Sequence, residues 1–146
     1  GDVSLFQNTK KNNPLKKDSR YQSHTKPKGF NTGKTETIWD STQGVKFTNS
    51  SFFGLWTEEG QASPAEILLH ELAHAKSSLE DPDQHEKDTR SGFEESDVMS
   101  RVERPAAKKL GRKVTRDGHY GTFYKTVSPT SVKPKKDNNK KQKKKS

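Results

Sequence analysis

The chain has 146 residues, enough for one modest domain, and only 25% of them are apolar, so not all of it can pack into a core. No apolar run approaches the roughly 18 residues of a membrane span and no signal peptide is visible; cysteine is absent, which excludes disulfides and thiolate metal sites and fits either the cytosol or an exported protein that refolds without oxidative help. The formal charge of +9 belongs to the ends: residues 133–146 hold eight Lys against one Asp and residues 1–29 seven basic against two acidic side chains, whereas 30–132 hold thirteen basic and sixteen acidic ones, which is not the pattern of a DNA-binding face.

Residues 1–30 are rich in Lys, Asn, Gln and Ser and read as a basic, loosely ordered arm, in which Val3, Leu5 and Phe6 can pin a short strand. The chain opens on Gly-Asp-Val without a starting Met, as expected of a fragment or a processed piece of something larger. "TETIWD" (35–40) and "GVKFTNS" (44–50) alternate partly and are separated by turn residues, which predicts a β-hairpin. "SFFGLW" (51–56) is a further strand or a loop packed under a site. The next start signal is well marked. Ser63, Pro64 and Glu66 supply an N-cap, a Pro at the first helical position and the Glu of a capping box. Ile67, Leu68, Leu69, Leu72, Ala73 and Ala75 then give an apolar face running to about Leu79, with Asp81 and Pro82 as the stop. "EDPDQHEKD", which contains His85, reads as a solvated loop. A second helix is predicted over about 93–110 from the spacing of Phe93, Val98, Met99, Val102, Ala106 and Leu110, kinked or broken by Pro105 and ended by Gly111. "GHYGTFYKTV" (118–127) reads as a loop leading into an extended segment, and after Ser128 the loss of apolar residues predicts disorder. No internal repeat is present. The expected organisation is an arm (1–30), an α+β domain (31–128) and a Lys-rich tail (129–146).

The apolar helix carries His70-Glu71-Leu72-Ala73-His74, an H-E-x-x-H sequence. Positions i and i+4 stand one turn apart on one helix face, so both imidazoles can point at one ion. Glu71 lies about 100° round the helix from His70, where it can take a proton from a water at a zinc ion without being a ligand. A histidine in an apolar helix is more often a hydrogen-bonded core residue, and so short a pattern arises by chance. The capped helix, the apolar context and the small residues Ala73 and Ala75 favour zinc here. A catalytic zinc takes a third protein ligand and keeps one position open. The candidates are Glu94, Glu95, Asp97, Glu103, His85 and His119. Glu95 is in phase with Val98, Met99 and Val102 and is favoured; Glu94 is the runner-up, and Glu103 lies two turns further along. A Glu ligand from a following helix is the arrangement of gluzincins. Arg116, His119, Tyr120 and Tyr124 cluster in "RKVTRDGHYGTFY" (112–124). Of these, His119 is the catalytic candidate for steadying an oxyanion, with the tyrosines behind it; packing and capping at the end of the domain is the bland alternative.

"LLHELAHA", "EESDVM" and "VERPAAKKLGRKVTRDGHYG" together resemble the small zinc-metallopeptidase effector domains of bacterial secretion systems, found at the C-termini of type VI spike proteins and Rhs-type toxins and as type III effectors. The resemblance spans roughly residues 35–125. It implies a zincin-like fold, Zn2+ held by His70, His74 and a Glu of the 94/95 pair, and Glu71 as general base. It also implies a protein substrate, a cognate immunity protein as partner, and delivery into a target cell as the C-terminal part of a larger secretion-system protein. Ser96 and Asp97 depart from the family pattern, so either Glu of the pair can be the ligand. The leading expectation is a zinc metalloendopeptidase. The alternative is a basic nucleic-acid or surface-binding module with a structural zinc and no catalysis; lysine runs without interleaved aromatics give only non-specific phosphate attraction.

Overall fold

The computed structural model describes residues 2–7, 24–27, 34–50, 54–118 and 121–137. In chain order the elements are β1 (Asp2–Gln7), β2 (His24–Pro27), β3 (Lys34–Trp39), β4 (Gln43–Ser50), β5 (Thr57–Ala62), α1 (Pro64–Glu80), α2 (Pro82–Ser91), α3 (Phe93–Val98), a π-helical segment (Met99–Glu103), α4 (Arg104–Lys109) and β6 (Thr122–Lys125). This is the expected α+β class. Two stretches of the expected arm, β1 and β2, are strands. No helix among the described residues is long and apolar enough to cross a membrane.

The expected hairpin between the runs at 35–40 and 44–50 does not form, because the two runs belong to different sheets. β3 is the centre of one sheet, with β1 parallel on one side and β2 antiparallel on the other. β4 is the centre of the second, with β5 and β6 both antiparallel to it. Both edges of each central strand are therefore taken. Between them Asp40 bends the chain: its buried Oδ1 accepts from the Thr42 N–H at 2.9 Å and from the Thr42 hydroxyl at 2.6 Å, an Asx turn that replaces the ladder hydrogen bonds a hairpin would have made.

β5, "TEEGQA", is a strand that its composition does not announce. Its inner positions are small because β4 supplies the bulk. Val45 faces Ala62, and Phe47 faces Gly60. Any Cβ on Gly60 would run into the Phe47 ring, so only glycine lets that ring lie over the strand. Val45, Phe47, Ala62 and Ile67 form the core of this half, with Val114 and Phe123 packed against it. Of "SFFGLW", residues 51–53 lie outside the described residues, and Leu55 and Trp56 are exposed.

α1 begins as its sequence requires. The Ser63 hydroxyl accepts from the Glu66 N–H at 3.3 Å, and Glu66 Oε2 accepts from the Ser63 N–H at 2.8 Å. Glu66 does more than cap, since the buried carboxylate also accepts from Arg112 Nη2 at 2.9 Å. Two further contacts fix this end: the Trp39 indole donates to Pro64 O at 2.7 Å, and the Ala65 N–H donates to Pro129 O at 2.8 Å. The latter comes from beyond the point where disorder was expected. Structure continues past Ser128, where the Val127 N–H donates to Lys133 O and the Lys135 N–H donates to Lys125 O, each in backbone hydrogen bonds, and Tyr124 donates its hydroxyl to Val132 O.

The expected solvated loop after α1 is instead α2. Asp81 closes α1 and caps α2 through the Gln84 N–H at 3.0 Å, and Gly92, at φ +76°, ends it. The predicted second helix runs from Phe93 to Lys109 with a π turn in place of a break. Pro105 has no N–H for the carbonyl of Arg101, and the Arg104 N–H reaches back to Met99 O, a five-residue step. Removing the cap should loosen the helix that carries the histidines: Ser63→Ala is expected to lower the unfolding free energy by about 1 kcal/mol, read as a lower urea midpoint at unchanged slope. A midpoint equal to that of the wild type would deny the cap its role.

Candidate metal centre

His70 and His74 project from α1 one turn apart, and α3 brings Glu95 to them. His70 is fully buried and His74 half-buried. His74 Nε2 lies 3.0 Å from His70 Nε2 and 3.1 Å from Glu95 Oε2, and His70 Nε2 lies 3.3 Å from Glu95 Oε1. The donor atoms of these three residues all fall within 4.8 Å of one another, and the group could hold a metal ion.

The other ring nitrogens decide what this group needs. His70 Nδ1 is 2.7 Å from Glu103 Oε2, and His74 Nδ1 is 3.2 Å from Glu94 Oε1. An ionised carboxylate only accepts, so each Nδ1 carries a proton and each ring, when neutral, presents an unshared pair at Nε2. Two such pairs and the Glu95 carboxylate then face one another across about 3 Å, which is repulsive unless a cation lies between them. Tetrahedral zinc–nitrogen bonds of about 2.0–2.1 Å set neighbouring donors roughly 3.3 Å apart, close to the observed separations. The donor set therefore fits a metal ion of this size.

Electrostatics agree. Burial disfavours charge on His70, but its hydrogen bonds to Glu103 and Glu95 outweigh that and raise its pKa to about 9. His74 is likewise raised: burial opposes its charge, and the Glu95 hydrogen bond overrides the opposition. Burial pushes Glu103 up, yet His70 and Arg116 more than offset it and hold the carboxyl at about 2. Both histidine shifts favour positive charge at the place where the three groups meet.

The predicted residues divide clearly. His70, His74 and Glu95 come together. Glu94 does not join them; its carboxylate takes His74 Nδ1, the Ser77 hydroxyl at 3.0 Å and His85 Nδ1 at 3.3 Å. His85, expected in a solvated loop, thus lies on α2 beside Glu94. Asp97 pairs with Arg101 on the exposed side of the helix. Glu71 is buried, and its charge acts on His74. His119 and Tyr120 lie outside the described residues. Arg116 grips Glu103, with Nε 2.9 Å from Oε1 and Nη2 3.0 Å from Oε2.

The support given by Glu103 to His70 is what sequence reasoning misses. A regular α-helix sets Glu103 about 80° round from Glu95, off the metal-facing side. The wider π turn at Met99–Glu103 takes more residues per revolution and brings Glu103 back, so that both carboxylates reach His70. Pro105 is the one sequence signal for that turn, since it deprives Arg101 of its helical partner.

The chain matches no protein-family model, and no curated protein or solved structure shows significant similarity to it.

The ligand set makes a paired expectation. His70→Ala should lose the metal and, because metal binding is coupled to folding, the thermal stabilisation that the metal gives. Glu95→Ala should lose stoichiometric metal as well, whereas Glu94→Ala should still bind one ion per chain, about 10–100-fold more weakly. Metal analysis after gel filtration measures all three, and full metal content in His70→Ala would sink the assignment.

Proposed function

We propose that the chain is a zinc-dependent metallopeptidase with Glu71 as its general base. The observation that carries this reading is the convergence of both H-E-x-x-H histidines with a single carboxylate from the following helix, Glu95, whose side chain is still 32% exposed. A structural zinc site is closed by four protein ligands, and a catalytic one keeps a position open; the group found among the described residues has three. Zinc held there would supply Lewis acidity toward a peptide carbonyl and toward water at neutral pH.

The protein's own residues supply the rest. His70 and His74 keep their Nε2 atoms turned to the centre because Glu103 and Glu94 take their Nδ1 atoms. Glu71 follows His70 directly, is not one of the three converging residues, and is close enough for its charge to act on His74. Its carboxylate takes the proton of the attacking water and returns it to the leaving amine. On this reading, the resemblance of "LLHELAHA", "EESDVM" and "VERPAAKKLGRKVTRDGHYG" to secretion-system effector peptidases extends the proposal to a toxin domain. Such a domain cuts a protein substrate in a target cell and is neutralised in its producer by an immunity protein.

Glu71→Ala separates chemistry from binding. It should keep one zinc per chain and the wild-type fold while hydrolysis of a peptide library drops by about 10²–10⁴-fold. A zinc-loaded Glu71→Ala protein as active as wild type would end the hydrolytic reading and favour a binding module.

A further inference from the structure

The two histidines are supported unequally, and the difference assigns a role to residues that are not ligands. Glu94 on His74 is shared with a serine and a second histidine. Glu103 on His70 is gripped from behind by both nitrogens of a buried arginine, Arg116, and the His70–Glu103 contact is the shorter of the two. A two-pronged guanidinium fixes both oxygens of a carboxylate in one plane, so Glu103 can neither rotate nor be exchanged for water. His70 is in turn held in one tautomer and one orientation.

We propose that Glu103 and Arg116 are a positioning pair that sets metal retention through His70, with Arg116 acting at two removes from the ion. The pair rests on the metal site itself and not on what the site hydrolyses. The π turn contributes by returning Glu103 to the side of the helix that faces His70. The segment holding Arg116 is tied down independently, since Asn49 of β4 donates to Thr115 O at 2.8 Å. The pair therefore links the metal to the second sheet as well as to the helices.

The test uses the full chain and zinc alone. Affinity is measured by competition with a chromophoric chelator, and ligand geometry by the visible spectrum of the cobalt-substituted protein. Glu103→Gln should weaken zinc binding about 10–100-fold and shift the cobalt bands. Removing one partner of a buried pair also destabilises the fold, so the neutral double variant Glu103→Gln/Arg116→Gln is the control. It should fold without metal and keep the loss of affinity. Arg116→Lys, which retains the charge without the fork, should lie between it and wild type. A folded double variant with wild-type affinity and an unchanged cobalt spectrum would overturn the pair. Failure of both the double variant and Arg116→Lys to fold would overturn it too, by reducing the pair to a prop. If the wild type binds no zinc, the metal reading falls together with the pair; if it binds zinc but cleaves nothing, only the peptidase reading falls.

Discussion

Three groups with unshared electron pairs, two imidazoles and a carboxylate, face one another across about 3 Å at the junction of α1 and α3. Nothing neutral settles that arrangement. The carboxylates on the far nitrogens of both rings keep the pairs turned inward, so the centre must be filled by a proton or by a metal ion. The surrounding structure follows from keeping that geometry. The capping box and the Arg112–Glu66 pair anchor the start of α1, α2 brings His85 to Glu94, and the π turn brings Glu103 to His70. Burying so many charges is costly unless each is paired, and here each buried carboxylate that holds a histidine has a second partner.

The part of the site that follows from regular helical spacing is legible in the chain. His70, Glu71 and His74 follow from i, i+4 spacing on a capped amphipathic helix, and Glu95 follows from its phase with Val98, Met99 and Val102. Glu103 and Arg116 are not legible, because phase counting assumes an unbroken α-helix and the π turn violates it. The same limit explains the sheets. Period-two patterning finds the strands at 35–40 and 44–50 but says nothing about partners, and an Asx turn at Asp40 sends them into separate sheets. β5 escapes because its inner face is made of small residues, Gly60 under the Phe47 ring and Ala62 opposite Val45, and not of residues with strand propensity.

Charge distribution bears on function in the same way. The excess of lysine lies at the chain ends, while the elements that build the metal group are acidic: Glu71, Glu94, Glu95 and Glu103 stand within or against it. A surface evolved to hold phosphates would not surround its most organised cluster with carboxylates. A cation site would, and Arg116 pairs with Glu103 behind His70.

X-ray absorption at the zinc edge of the metal-loaded full chain counts and identifies the atoms that touch the ion. The expected spectrum shows two imidazole nitrogens at about 2.0–2.1 Å and a low-Z oxygen shell from one carboxylate and solvent. Three or four imidazoles around the ion, or zinc that shows no imidazole at all, would contradict it.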